Sequence, residues 1–154
     1  MSDMLAQILK KSFDQYYPAP IESWEKFTTY CEEVSYSKNE TIKQANTTAK
    51  YGYFLLEGSV GLFAWKDNNS ICTELLLEYN FFGDDMSLLS GKPSPIEIVS
   101  LENSKMVRVS KANIEILKKT QIGSMLFLAG EQSSTVEKQQ EQIDSMTLTA
   151  EQRY

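Results

Sequence analysis

The chain has 154 residues, 42% of them apolar and 23% charged, with a net charge of −6, so one globular unit with a substantial core is expected and disordered or fibrous classes are excluded. The acidic balance works against gripping a polyphosphate, because nonspecific nucleic-acid binding rests on Lys and Arg neutralising phosphates. The absence of histidine removes the commonest general base and the commonest metal ligand.

The first eighteen residues, MSDMLAQILKKSFDQYYP, contain no apolar h-region, and no segment approaches a membrane-spanning length of uncharged apolar residues. The two cysteines, Cys31 and Cys72, form no CxxC and are read as buried thiols in a reducing cytoplasm, without a zinc or iron–sulfur site. No membrane partner is expected. Leu5, Ile8, Leu9, Ser12, Phe13 and Tyr16 recur at helical spacing until Pro18 and Pro20 stop the pattern. A second helix follows, with Ile21, Trp24, Phe27, Thr28 and Cys31 on one face.

From Val34 to about Val109 the runs are short and β-rich: VSYS, YGYFLLEGSVGLFAW, ICTELLLEY and IEIVSLENSKMVRV, separated by KNE, KDNNS and NFFGDD. Close-spaced strands punctuated by glycine point to an antiparallel β-roll rather than βαβ units. Val60, Leu62, Phe63, Ala64 and Trp65 are apolar on consecutive positions, which suits a strand covered on both faces.

SKANIEILKK reads as a short helix, and residues 121 to 146 as the longest helical candidate of the chain. Ile122, Leu126, Ala129, Ser133, Val136, Gln140, Ile143 and Thr147 alternate by four and three, the period of a two-helix seam. The spacing predicts a homodimer through that helix. Thr149 and Gln152 then form a capping-box pattern, and the expectation is a helix begun and continued in a further domain that the chain lacks.

Three stretches, YFLLEGSVGLF from Tyr53, FGDDMSLLSGKPS from Phe82 and IVSLENSKMVRVS from Ile98, occur in the order of the cyclic-nucleotide-binding domain. With the long helix and the LTAEQRY ending, the chain resembles the Crp/Fnr-type bacterial transcription regulators over nearly its whole length. The resemblance implies a mainly β fold with flanking helices, an antiparallel double-stranded β-helix (jelly-roll β-roll) over 1–120. It implies a long dimerisation helix over 121–147, and at 148–154 the start of a missing helix-turn-helix domain through which alone DNA would be bound.

In that family a phosphate-binding cassette offers backbone N–H groups and an Arg to the cyclic phosphate and a Glu to the ribose hydroxyl. Phe82 and Gly83 match it, Asp84 or Asp85 takes the Glu position, and Ser87 and Gly91 continue it. The Arg position is Ser94, followed by Pro95, and Lys92 is the cation nearest in sequence. Losing a bidentate cation costs about 3–5 kcal/mol, which moves a micromolar site toward the millimolar range. The cassette is thus degenerate toward cAMP and cGMP, leaving a turn of the β-roll or a site for another small effector. The family's contact between base and long helix falls by position on Thr135, Lys138 and Gln139.

The reading is therefore a non-enzymatic sensor and dimerisation domain of a transcription regulator with no obligatory cofactor. An orphan ligand-binding or interaction module is the alternative, and a cupin-type enzyme lacks its usual histidine ligands.

Overall fold

The computed structural model describes residues 2–15 and 18–120. Helix α1 spans Ser2–Phe13 and α2 spans Ile21–Thr28, with Pro20 at the position preceding α2. Eight strands follow: β1 Glu32–Tyr36, β2 Thr41–Lys43, β3 Tyr51–Glu57, β4 Val60–Lys66, β5 Asn69–Leu76, β6 Phe81–Phe82, β7 Ile96–Ser100 and β8 Ser104–Ser110. A short helix, α3 Asp85–Ser90, interrupts the strands between β6 and β7, and α4 Lys111–Lys118 closes the described chain. Ser110 caps α4 by accepting from the Asn113 N–H at 3.2 Å.

The strands form two antiparallel four-stranded sheets, ordered β1-β8-β3-β6 and β2-β7-β4-β5. This is the β-roll expected from the sequence. The first sheet is covered on both faces, and its period-two alternation sorts residues between two cores. Phe54, Val107 and Val109 face the helices, packing with Leu9, Phe13, Trp24, Phe27 and Leu117. Tyr53, Leu55 and Met106 face the second sheet, packing with Val60, Leu62, Phe82 and Ile98. The helix-facing core is aromatic at its centre: Phe13 lies 5.1 Å from Phe81 and 5.7 Å from Trp24 between ring centroids, and Phe54 lies 5.0 Å from Phe81.

Strand β4 departs from the expectation of coverage on both faces. Val60, Gly61 and Leu62 are buried, but Phe63 and Ala64 are only half-buried and Trp65 is exposed. The reason is register, because the β7 ladder ends at Ala64 opposite Ile96, with the Trp65 N–H reaching only the Pro95 carbonyl beyond it, while on the other side Trp65 and Lys66 pair with Ser70 and Asn69 of β5. That hairpin projects beyond its neighbour. Its loop is also shorter than the KDNNS stretch suggests: Asp67 and Asn68, both at positive φ, make the two-residue turn. At the turn that carries the chain from β3 in the first sheet to β4 in the second, Gly58 has φ +101°, and a Cβ there would run into the Ser104 hydroxyl and the Asn103 carbonyl.

The cysteines differ in environment, contrary to the expectation that both are buried. Cys72 is exposed on β5, while Cys31 lies half-buried just beyond α2 with its thiol donating to the Phe27 carbonyl at 3.6 Å. Burial pushes the Cys31 thiol up to about 12, so it stays protonated and unreactive. Iodoacetamide at about pH 8 is expected to alkylate Cys72 and spare Cys31. Peptide mass spectrometry of the native protein checks this, and equal labelling at both positions contradicts the packing described for Cys31.

Candidate ligand-binding cassette and cavity

The segment from Phe81 to Ser94 connects the two sheets. Phe82 stacks on Tyr53 at 5.1 Å and 11°, which anchors β6 in the inner core. Asp84 then caps α3, its carboxylate accepting from the Ser87 N–H at 3.2 Å. Gly91 takes the left-handed conformation that ends the helix, at φ 70°, with its N–H bonded to the Ser87 carbonyl at 2.9 Å. Two short-range signals, an acidic cap and a terminal glycine, thus fix a single turn and a half of helix.

Of the two acids that could occupy the Glu position, Asp84 is the interior one, only 3% exposed, and Asp85 is exposed in the first turn of α3. The Asp84 carboxylate is fully engaged by the protein. The Ser94 hydroxyl donates to its Oδ2, and the Lys43 ammonium pairs with the same oxygen at 3.1 Å, both side chains being almost completely buried. Lys43 spends its other donors on the carbonyls of Ile96 at 2.8 Å and Gln44 at 3.2 Å, which exhausts the three N–H groups of an ammonium. Ser87, completely buried, accepts from the Ala49 N–H at 2.8 Å and donates to the Lys92 carbonyl at 2.6 Å. The Ser94 backbone bridges to Asn46 and Thr47.

Phe82, Asp84, Ser87 and Ser94 are therefore brought together, whereas the Lys92 side chain is exposed and makes only backbone contacts with the cluster. The expectation that Lys92 is the cassette's nearby cation is corrected: Lys43, from β2, is the cation that meets Asp84. Gly83 is roomier than a cradle requires, since a Cβ there would meet its nearest atoms at an ordinary 3.6 Å. Thr135, Lys138, Gln139 and the seam from Ile122 to Ile143 lie outside the described residues.

Beside this cluster a cavity of about 280 Å³ opens between the sheets, with Asp84 and Lys43 in its lining. Tyr36, Tyr51, Tyr53 and Arg108 contribute from the first sheet, Ile42 and Ile98 from the second, and Lys50 from the connection between β2 and β3. Arg108 takes an inward position because β8 alternates, Met106 and Arg108 facing inward while Val107 and Val109 face the helices. Cross-strand register sets Glu32, Arg108, Tyr53 and Phe82 in one row. The guanidinium lies 4.1 Å from the Tyr51 ring centroid and donates from Nη2 to Glu32 Oε1 at 3.0 Å. That hydrogen bond raises the Arg108 pKa above its ordinary value, so the charge is permanent.

Sequence reasoning misses these cavity residues. The alternation of Tyr51 with Tyr53, and of Met106 with Arg108, carries a readable signal of shared faces. Lys43 carries none, because β2 is three residues long and too short to display a period.

A family model for the cyclic nucleotide-binding domain matches residues 33–121, more than half of the chain. No curated protein matches it. Among solved structures, a cyclic nucleotide-binding domain from Methylobacillus flagellatus KT is similar at TM-score 0.76 and 12% identity, over 94% of this chain and 85% of that one. The catabolite activator protein of Thermus thermophilus is similar at TM-score 0.67 and 16% identity, over 86% of this chain and 62% of that one, so the chain spans less than two thirds of that activator. The sensor domain of the transcriptional regulator DNR from Pseudomonas aeruginosa is similar at TM-score 0.62 and 17% identity, over 84% and 91%. Likeness at these identities concerns the fold, and together with the family match over the β-roll and its α3 turn it places this chain in the cyclic nucleotide-binding domain family.

Proposed function

We propose that the chain is the sensor and dimerisation part of a Crp/Fnr-type transcription regulator whose effector is neither cAMP nor cGMP. The observation that carries this reading is a β-roll of the family's form in which Lys43 and Ser94 saturate the Asp84 carboxylate. A cyclic phosphate arriving at Asp84 cannot recruit Lys43, since every Lys43 donor has an acceptor within 3.2 Å. To bind, it must break an almost completely buried ion pair, and breaking such pairs costs several kcal/mol. The regulator reading is supported by the transcription regulators among the similar structures. DNA contact is then made by a separate domain, and the helix of residues 121–147 joins two copies. Among the described residues no helix is long and apolar enough to cross a membrane, and the reading assigns the domain a regulatory rather than a catalytic role in the cytoplasm.

Three measurements test this. At about 100 μM, cAMP and cGMP are expected to leave the melting temperature unchanged and to give no heat, because a millimolar site stabilises by only about 0.1 kcal/mol at that concentration. A low-micromolar dissociation constant contradicts the closed seat. In a double-mutant cycle, Lys43→Met and Asp84→Asn should each destabilise by about 3–5 kcal/mol, with the double variant costing well under the sum; additive losses in chemical denaturation contradict the pairing. Val136→Glu with Ile143→Glu is expected to give monomers by sedimentation, since like charges are then placed in the seam. A double variant that sediments as the wild type does removes the dimer helix from this reading.

A further inference from the structure

The cavity next to the closed seat retains donors that the fold does not use. Arg108 Nε is buried and has no hydrogen-bond partner, and a buried N–H left without an acceptor is costly. Its plane is fixed from two directions, by the Tyr51 ring and by Glu32. Tyr36 and Tyr53 both line the cavity, each carrying a hydroxyl. Burial, first, and the neighbouring Tyr36 push the Tyr53 hydroxyl well above its ordinary value, so it remains a neutral donor at physiological pH.

Charge adds to this. Of the ionisable lining groups, Lys43 pairs with Asp84 and Arg108 with Glu32, and Lys50 adds a further positive charge in a chain of net charge −6. A cleft of one sign with low-dielectric walls concentrates the opposite charge. The remaining walls are tyrosine rings and the apolar faces of Ile42 and Ile98, and the volume of about 280 Å³ lies just below the range of drug-sized sites.

We propose that this cavity binds a small monocarboxylate carried on a planar ring, the carboxylate seated on Arg108 and a tyrosine hydroxyl and the ring between the tyrosine and isoleucine walls. The Arg108 guanidinium and a tyrosine hydroxyl supply donors for the two oxygens of a carboxylate, with the positive charge of Lys50 in the same lining. A phosphate needs the seat that Lys43 closes. The proposal rests on reading the chain as an effector-binding domain, and it names the effector's chemical class.

The test uses the whole chain with benzoate and trans-cinnamate as probes, against benzamide, inorganic phosphate and cAMP. Titration to about 10 mM by calorimetry and thermal shift is expected to show at least one of the two carboxylates binding at least tenfold more tightly than benzamide or phosphate. In amide NMR of the wild type, that carboxylate should shift Tyr51–Tyr53 and Val107–Val109. Arg108→Met should weaken the carboxylate about tenfold, and Tyr53→Phe should weaken it less. Equal binding of benzamide, preferential binding of phosphate or cAMP, no binding by either carboxylate, or shifts elsewhere with Tyr51–Tyr53 unmoved each overturns the proposal, the NMR result doing so even where Arg108→Met does not fold. A failure of the regulator reading is separable: it appears as a chain whose sedimentation is indifferent to the seam substitutions, whatever the carboxylates do.

Discussion

A carboxylate carried into the interior of a β-roll must find a cation or remain protonated, and in this protein Asp84 finds Lys43. The pair has consequences beyond electrostatics, because its members come from separate parts of the chain. Lys43 ends β2 and Asp84 opens α3, while Ser94, the third member, leads into β7, the strand that pairs with β2. One cluster therefore clamps the entry and exit of the α3 turn to the second sheet. Two buried serines extend it: Ser87 ties α3 to Ala49, and Ser94 ties the exit to Asn46 and Thr47. The polar interior is satisfied throughout this cluster, which is the condition under which a buried network specifies one arrangement rather than weakening it.

The same cluster bears on the proposed absence of a phosphate seat. A phosphate seat works by presenting donors that are unsatisfied until the anion arrives. Substituting Ser94 for the guanidinium expected at that place removes the fork, and Lys43 then turns its donors on Asp84 and two carbonyls. The guanidinium the cavity does hold is that of Arg108, on an inner strand of the first sheet in a row with Tyr53 and Phe82.

Much of this architecture was legible in the sequence because it rests on local rules. The amphipathic spacing of Leu5, Leu9 and Phe13 acts within a few residues, and the structure follows it, with α1 ending at Phe13, short of the stop read at Pro18. The β-roll was legible from the rhythm of strands and turns. What escaped were features fixed by distant partners. Lys43 meets Asp84 across about forty residues of chain, and nothing in the polar stretch around it marks it as interior. The exposure of Trp65 follows from where β7 ends, and β6 is two residues long, so neither was visible to pattern. Ser94 was recognised as a missing arginine, but that it would be buried and would donate to Asp84 depended on a register no periodicity records.

The position of Arg108 also bears on how occupancy could be transmitted. Strand β8 runs from Arg108 through Val109 to Ser110, the cap of α4, so a ligand held by the guanidinium sits two residues from a helix start. The Lys111 N–H donates to the Lys50 carbonyl at 2.9 Å, which joins the first residue of α4 to a residue that itself lines the cavity. Gly52 completes the contact, because Ile114 of α4 would lie 3.3 Å from any Cβ placed there. The α4 helix is thus seated directly on the strands that carry the unused donors, whereas α3, exposed at Met86 and Leu89, is held by a network already closed. A signal needs differential interaction between two states, and on the β8–α4 side Arg108 Nε, a buried donor with no partner, is where the proposed effector would supply it.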